Sequence, residues 1–453
     1  MQIIFKQQKI KNSFFTSILV LQKQIYFLFF LIKQKSNAAG GGEKVLYCII
    51  KSIFNLNLSK DLFEIVIYSC EQEQGNNILQ KAKDRFNLDL LQYQDQIKFI
   101  KVPFRFLLEP FSFATLFFQV IGILIYTYIC LFKYPPDIFY DTTGLSFSYF
   151  IVKKMSYSKV ISYVHYPFIS QDMINDVLKN NQSFNNRGIF ANWRILKNLK
   201  IIYYIILVKF YKKMGSYADL IFTNSSWTDN HIKKLWKNQK TIKLYPPCNI
   251  KDLILLQKNQ KNIQIMSFAQ FRPEKNHLLQ INIINKVFKR FDDFQKKNII
   301  FKIVGSTRNQ NDIQLLQNLK NQIKDFNLVQ NVHFIENPQY TQVIQLLQES
   351  TIGLHTMKDE HFGISVVEMM AAGLVVLSHN SAGPKMDIIQ NNSFGFLCEN
   401  EEEYIEKLLY VINNQSIRNN IVKNARQKIM VFSDEQFIEK CKNYFKDFLE
   451  LKI

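Results

Sequence analysis

The chain has no paired cysteines. Its six (Cys48, Cys70, Cys130, Cys248, Cys398 and Cys441) form no CxxC motif and follow no regular spacing. That excludes a zinc-finger arrangement and reads as free, structural thiols in a reducing compartment, where sequons such as those at Asn181 and Asn414 carry no meaning. Acidic residues are also short, with 37 Asp and Glu against 57 Lys and Arg, for a net charge of +20. A positive excess suits nucleic acid, an anionic membrane surface or anionic substrates. No RNA-binding signature accompanies it, and the lysines are spread among Asn and Gln. Membrane lipid and phosphorylated substrates are therefore favoured over nucleic acid. A complete dinucleotide fingerprint is missing as well. Gly40, Gly41 and Gly42 are present, but Val45 replaces the third glycine of G-x-G-x-x-G, and no acidic residue closes a second strand at the right distance. This argues against a nicotinamide or flavin enzyme. The triplet reads as a loop that admits a ligand or phosphate close to the backbone, with a plain turn as the alternative.

What is there is apolar and aromatic. Of 453 residues, 47% are hydrophobic and 14% aromatic, including 40 Phe, so the chain is no disordered protein and is long enough for two or three domains. Strand-like runs FEIVIYS, QIKFIKV, PDIFYDT, VISYVHYP and ADLIFTNS alternate with helical stretches in the first half. After the Pro-Pro break in YPPCNI (Tyr245 to Ile250) the second half restarts with NIQIMSF and repeats the β-α order through NIIFKIVG, VHFI and TIGLHT. Such alternation predicts an α/β fold with two parallel, doubly wound sheets. The boundaries expected are an apolar segment over 1–35, domains over 36–250 and 251–432, and a helix over 433–453 that packs back on the first domain.

Three apolar stretches raise a membrane question. Phe14 to Ile32 is interrupted by Lys23 and reads as an anchor or a surface-lying helix. Phe111 to Phe132 is uncharged over a membrane-length run, yet is followed by a soluble-looking strand; it reads as a helix on the sheet with one face dipping into the bilayer. A third, IIYYIILVKFYKKM from Ile201, has the lysine-flanked aromatic face of an interfacial helix.

Chemistry concentrates in four clusters. Glu360 and Glu368 bracket EHFGISVVE, the first in a loop and the second about a turn into a helix. Both stand near the positive end of that helix, where a phosphate also binds. Two acids able to grip hydroxyls beside a phosphate suggest a sugar-nucleotide pocket; an exposed acidic pair is the plain alternative. In FAQFRPEKNH, Arg272 and Lys275 follow a strand at the sheet's ligand-binding edge and suit a diphosphate clamp. His165 ends the strand of SYVHYPFIS, as a substrate contact or a satisfied cap. Ser381, Ala382 and Gly383 form a small-residue turn before another helix, close to the nucleotide or sugar.

These segments together resemble a retaining family-4 glycosyltransferase of GT-B fold, two Rossmann-like domains facing a crevice. More narrowly, AAGGGEKVL, YVHYPFISQDM, GSYADLIFTNSSWTDNHI, YPPC, FAQFRPEKNHLLQI and EHFGISVVEMMAAGLVVLSHNSAGPKMDII resemble the family of α-1,2-mannosyltransferases that elongate dolichyl-diphosphate-linked oligosaccharide. Ala382 departs from that family, which usually has a second glycine there. The resemblance implies GDP-mannose as donor, with no metal or other cofactor, and dolichyl-diphosphate trimannosyl-chitobiose as acceptor. Its diphosphate would meet Arg272, Lys275 and the helix near Gly363. Glu360 would hold donor-sugar hydroxyls, Glu368 the ribose, and His165 the sugar, while Gly40–Gly42 would line the acceptor or phosphate side. The implied setting is the cytosolic face of the endoplasmic reticulum membrane, with its lipids and other mannosyltransferases as partners. A UDP-N-acetylglucosamine-dependent relative of the same fold and an inactive membrane scaffold are the alternatives.

Overall fold

Short β-branched and aromatic runs build two parallel sheets in the computed structural model, which describes residues 25–30, 41–60, 63–69, 75–102, 115–169, 194–236, 241–258 and 262–449. The first sheet has seven strands: β1 (Ile25–Phe30), β2 (Phe63–Ser69), β3 (Ile97–Lys101), β4 (Ile138–Asp141), β5 (Lys159–Val164), β6 (Leu220–Thr223) and β7 (Thr241–Lys243). Between them run α1 (Gly41–Phe54), α2 (Gly75–Phe86), α3 (Thr115–Lys133), α4 (Tyr149–Ser156), α5 (Arg194–Gly215) and α6 (Ser226–Leu235). The strand order is β3-β2-β1-β4-β5-β6-β7, and every pairing is parallel. After the short α7 (Ile250–Ile254), the second sheet begins with β8 (Ile263–Phe268), α8 (His277–Phe288), α9 (Asp293–Lys297), β9 (Ile299–Gly305) and α10 (Gln310–Asp325). It continues through β10 (Val332–Glu336), α11 (Tyr340–Glu349), β11 (Ile352–His355), α12 (Ile364–Ala371), β12 (Val375–His379) and β13 (Phe396–Cys398). Helices α13 (Glu401–Asn413), α14 (Gln415–Lys428) and α15 (Asp434–Phe448) close the chain.

The six strands of the second sheet are ordered β10-β9-β8-β11-β12-β13. All its pairings are parallel too, and the order in which strands are added reverses between β8 and β11, as it does in the first sheet between β1 and β4. A crevice opens beyond the strand ends at each such switch point, where ligands of open α/β sheets bind. Each sheet is covered on both faces, with buried apolar side chains gathered in separate clusters. Phe437, Cys441 and Phe445 of α15 belong to the core of the first sheet, beside Val45 and Ile49 of α1. The final helix thus ties the end of the chain to the first domain. The described cysteines Cys48, Cys130, Cys248, Cys398 and Cys441 are free and buried.

One expectation is corrected here. Ile25–Phe30 lies within the stretch read as an anchor or surface helix, and is instead a strand between β2 and β4, with Ile25 opposite Phe63 and Phe30 opposite Asp141. A central parallel strand is covered on both faces and so reads as an unbroken apolar run, as a lipid-seeking segment does. The first domain therefore starts by Ile25 rather than at residue 36. Residues 1–24, 31–40 and 111–114 lie outside the described residues, and with them Gly40.

α3 is long and apolar enough to cross a membrane by length and composition. One of its faces, with Val120, Ile123, Tyr126 and Cys130, is buried in the first domain's core. The other presents Phe117, Phe118, Ile121, Ile125, Tyr128 and Phe132 to solvent at three- and four-residue spacing, with Phe132 72% exposed. Ile202, Ile205 and Ile206 of α5 are exposed as well.

Candidate active site

The loops after β8 and β11 meet at the switch point of the second sheet, and they bring Lys275 and Glu360 together. Lys275 Nζ donates to Glu360 Oε2, and His355 Nε2 lies 3.2 Å from the same oxygen. Burial opposes a charge on Glu360, but the His355 hydrogen bond and the Lys275 ammonium prevail and hold its carboxyl well below the usual carboxylate range. His355 is itself fixed, its ring buried at the end of β11 and its carbonyl accepting from Tyr404 Oη at 2.8 Å. Thr356 Oγ1 donates to the carbonyl of Lys275 at 2.9 Å and accepts from Gln280 Nε2 at 2.9 Å, which pins one loop to the other.

The small-residue turn acts on the same loop through backbone. Gly383 N–H donates to the Glu360 carbonyl at 2.9 Å, and a Cβ at Gly383 would fall 2.2 Å from the Phe362 carbonyl oxygen. Only glycine permits that approach. Ser381 Oγ accepts from the Asp359 N–H at 2.8 Å and lies 2.9 Å from His379 Nδ1, so it braces the loop. Gly363 caps α12 at φ 112°, and Ala382 is also left-handed at φ 44°.

Other expected residues are distributed around this centre. Arg272 Nη1 pairs with Glu274 Oε1 at 3.3 Å on the loop surface rather than with Glu360. Arg308, in the loop after β9, has its pKa lowered by burial and by the neighbouring charge of Arg272, which adds a second guanidinium to that edge. Gly41 and Gly42 open α1 rather than a loop before it, and a Cβ at Gly41 would lie 2.4 Å from Ile364 Cδ1. The N-termini of α1 and α12 thus face each other across the crevice, with both positive ends toward it. His165 stands at the end of β5, its ring 4.9 Å from Tyr163 and its carbonyl accepting from Thr228 Oγ1 at 3.3 Å.

Glu368 is separated from the Lys275 cluster. It sits on α12 facing Lys44 of α1 and Asp434 of α15, which are themselves 2.7 Å apart. Burial pushes its carboxyl up to about 7, with Lys44 opposing and Asp434 adding to the shift. Among the described residues, no group of three or more His, Cys, Asp or Glu side chains is placed to hold a metal ion.

Residues 23–236 match the family described as ALG11 mannosyltransferase N-terminus, and residues 254–428 match Glycosyl transferases group 1. A protein of Dictyostelium discoideum, GDP-Man:Man(3)GlcNAc(2)-PP-Dol alpha-1,2-mannosyltransferase, is 36% identical over 421 residues, covering 90% of this chain and 82% of its own length. The chain belongs to this mannosyltransferase family. The Mus musculus protein of the same name is also 36% identical, over 88% of this chain and 83% of its own. Among solved structures, a glycosyltransferase from Rickettsia africae superposes with a TM-score of 0.64 at 15% identity, over 95% of this chain and 100% of that one. The fold is GT-B, and the enzyme is a glycosyltransferase.

Several residues of this mannosyltransferase site carry no signal in sequence. His355 looks like any strand histidine until the fold sets it beside Glu360. Asp387, after the small-residue turn, accepts from Ser226 N–H at 2.8 Å, Ser226 Oγ at 2.5 Å and Tyr245 Oη at 2.8 Å. It clasps the first turn of α6 and the interdomain linker from the second domain. Tyr166, Trp227 and His361 gather at the crevice from three separate segments.

Proposed function

We propose that the enzyme moves mannose from GDP-mannose, in α-1,2 linkage and with retention, to the dolichyl-diphosphate-linked trimannosyl-chitobiose acceptor. What carries this reading is the Lys275–Glu360–His355 cluster at the sheet switch point, in a chain 36% identical over 90% of its length to a protein bearing that activity in its name. The donor diphosphate lies against Lys275, Arg272 and the α12 N-terminus, with no metal or other cofactor. Negative charge grows on the leaving phosphate as the bond to the anomeric carbon breaks, so preset cations and helix amides lower the barrier. Lys275 shares its charge between Glu360 and that phosphate. Glu360, ionised at any working pH, holds hydroxyls of the mannosyl group, with His165 on the opposite wall, and Glu368 holds the ribose. The acceptor hydroxyl attacks the anomeric carbon on the face the phosphate leaves, and its proton passes to the departing phosphate oxygen.

A lipid-carried acceptor requires the crevice to sit near a bilayer. The exposed apolar stripe of α3, the isoleucines of α5 and the exposed Lys154, Lys209 and Lys213 support docking on the cytosolic face of the endoplasmic reticulum membrane. The test is incubation with labelled GDP-mannose and trimannosyl-chitobiosyl diphosphate lipid. Glycans lengthened by α-1,2-mannose are expected; incorporation from UDP-sugars alone would sink the reading.

A further inference from the structure

Tyr166, Trp227 and His361 form a small set of near-parallel rings drawn from both domains. Tyr166 and His361 stack at 4.0 Å between centroids with 14° between planes. Trp227 lies 5.6 Å from Tyr166 at 10° and 5.4 Å from His361 at 15°. The His231 ring lies 4.1 Å from Trp227, tilted by 51°. Rings of this size normally anchor a core, yet none of the three belongs to any of the hydrophobic clusters, and each stays partly exposed. Each is adjacent in sequence to a residue of the site or its brace: Tyr166 to His165, His361 to Glu360, Trp227 to Ser226.

All three are held by the backbone. Ser226 is clasped by the buried Asp387, which sets the first turn of α6 and so Trp227. Gly383 fixes the Glu360 loop and so His361, and Tyr166 stands two residues past the end of β5. Burial also lowers the His361 pKa, which favours the neutral ring. Flat, uncharged, preset ring faces beside a hydroxyl-binding carboxylate match the C–H face of a hexose, whose hydroxyls point outward along its rim.

We propose that Tyr166, Trp227 and His361 are a stacking platform for the terminal hexose of the acceptor. This rests on the crevice being the glycosyl-transfer site. The acceptor is favoured over the donor because Arg272, Lys275 and Arg308 place the diphosphate on the second domain. Two of the three rings come from the first domain, which also presents the apolar faces of α3 and α5 where a lipid-borne substrate arrives.

The test is steady-state kinetics with GDP-mannose and trimannosyl-chitobiosyl diphosphate on a short isoprenoid chain. Trp227→Ala is expected to raise the acceptor KM roughly tenfold or more, leave the GDP-mannose KM within about twofold, and be largely rescued by Trp227→Phe. Equal shifts in both KM values, a fall in kcat alone, no change, or no rescue by Phe would overturn the platform. Thermal melting checks folding; should Trp227→Ala not fold, Tyr166→Leu against Tyr166→Phe is read by the same criteria. If the wild-type enzyme uses another donor or acceptor, the proposed function fails, while the platform is still judged from the KM of the acceptor it does use.

Discussion

Glu368 and Ala382 show how far single residues can be read. The spacing from Glu360, with seven residues between, marks Glu368 in the sequence, but its neighbours Lys44 and Asp434 come from distant parts of the chain and only the fold supplies them. Its carboxyl is pushed up to about 7 from 4.5, so the native state favours the protonated form. That contribution to stability is complete below the unfolded value and is lost as pH rises through about 7. Glu368→Gln, neutral throughout, should therefore raise the melting temperature of the ligand-free enzyme at pH 8, with a smaller gain at pH 5. A scan showing the same gain at both values would refute the assignment. Where the carboxylate grips ribose, isothermal titration should show GDP affinity increasing several-fold from pH 6 to pH 8 in the wild type, and the Gln variant should lose that part of the trend. Ala382 was legible as a departure from its family, and its φ of 44° gives the departure a cost. A left-handed alanine is strained by about 1–2 kcal/mol, against the extra unfolded-state entropy of glycine, so Ala382→Gly should stabilise by roughly 0.5–1 kcal/mol in denaturant melts. A destabilised variant would mean the methyl packs usefully where Ala382 is buried.

At the scale of elements, alternation of strands and helices was plain because parallel strands are short apolar runs bounded by polar loops. The exception was β1: six apolar residues in a longer apolar context do not announce whether protein or lipid will cover them. α3 shows the opposite outcome of the same ambiguity. Its sequence, uncharged up to Phe132, is resolved by the fold into one core face and one exposed face, with neither inferable from hydrophobicity alone. Replacing Phe117, Ile125 and Phe132 together by Ser removes three exposed apolar side chains at about 1 kcal/mol each for partial insertion. Binding to anionic liposomes in flotation should weaken on the order of 100-fold. Transfer to a water-soluble acceptor analogue should persist. Unchanged flotation would remove α3 from the docking face.

For the whole molecule, the two-domain plan, the linker and the crevice follow from the order of strands, since the β8–β11 and β1–β4 switch points place the Lys275 and Glu360 loops and the first turn of α1 at one opening. Arg272 and Lys275 were legible as a pair, yet the fold separates their partners, giving Glu274 to one and Glu360 to the other. The clasp of Asp387 on Ser226 and Tyr245 was not legible, because it joins segments whose contact exists only once both domains are folded and docked. The central claim is that this crevice transfers mannose through Glu360. Its most direct measurement is labelled GDP-mannose incorporation into the trimannosyl-chitobiosyl diphosphate lipid by wild type and Glu360→Gln in parallel. Losing a charged contact to the reacting sugar costs roughly 3 kcal/mol, so the variant should lose on the order of 100-fold in kcat/KM while melting as a folded protein. A folded Glu360→Gln enzyme with wild-type incorporation would contradict the account.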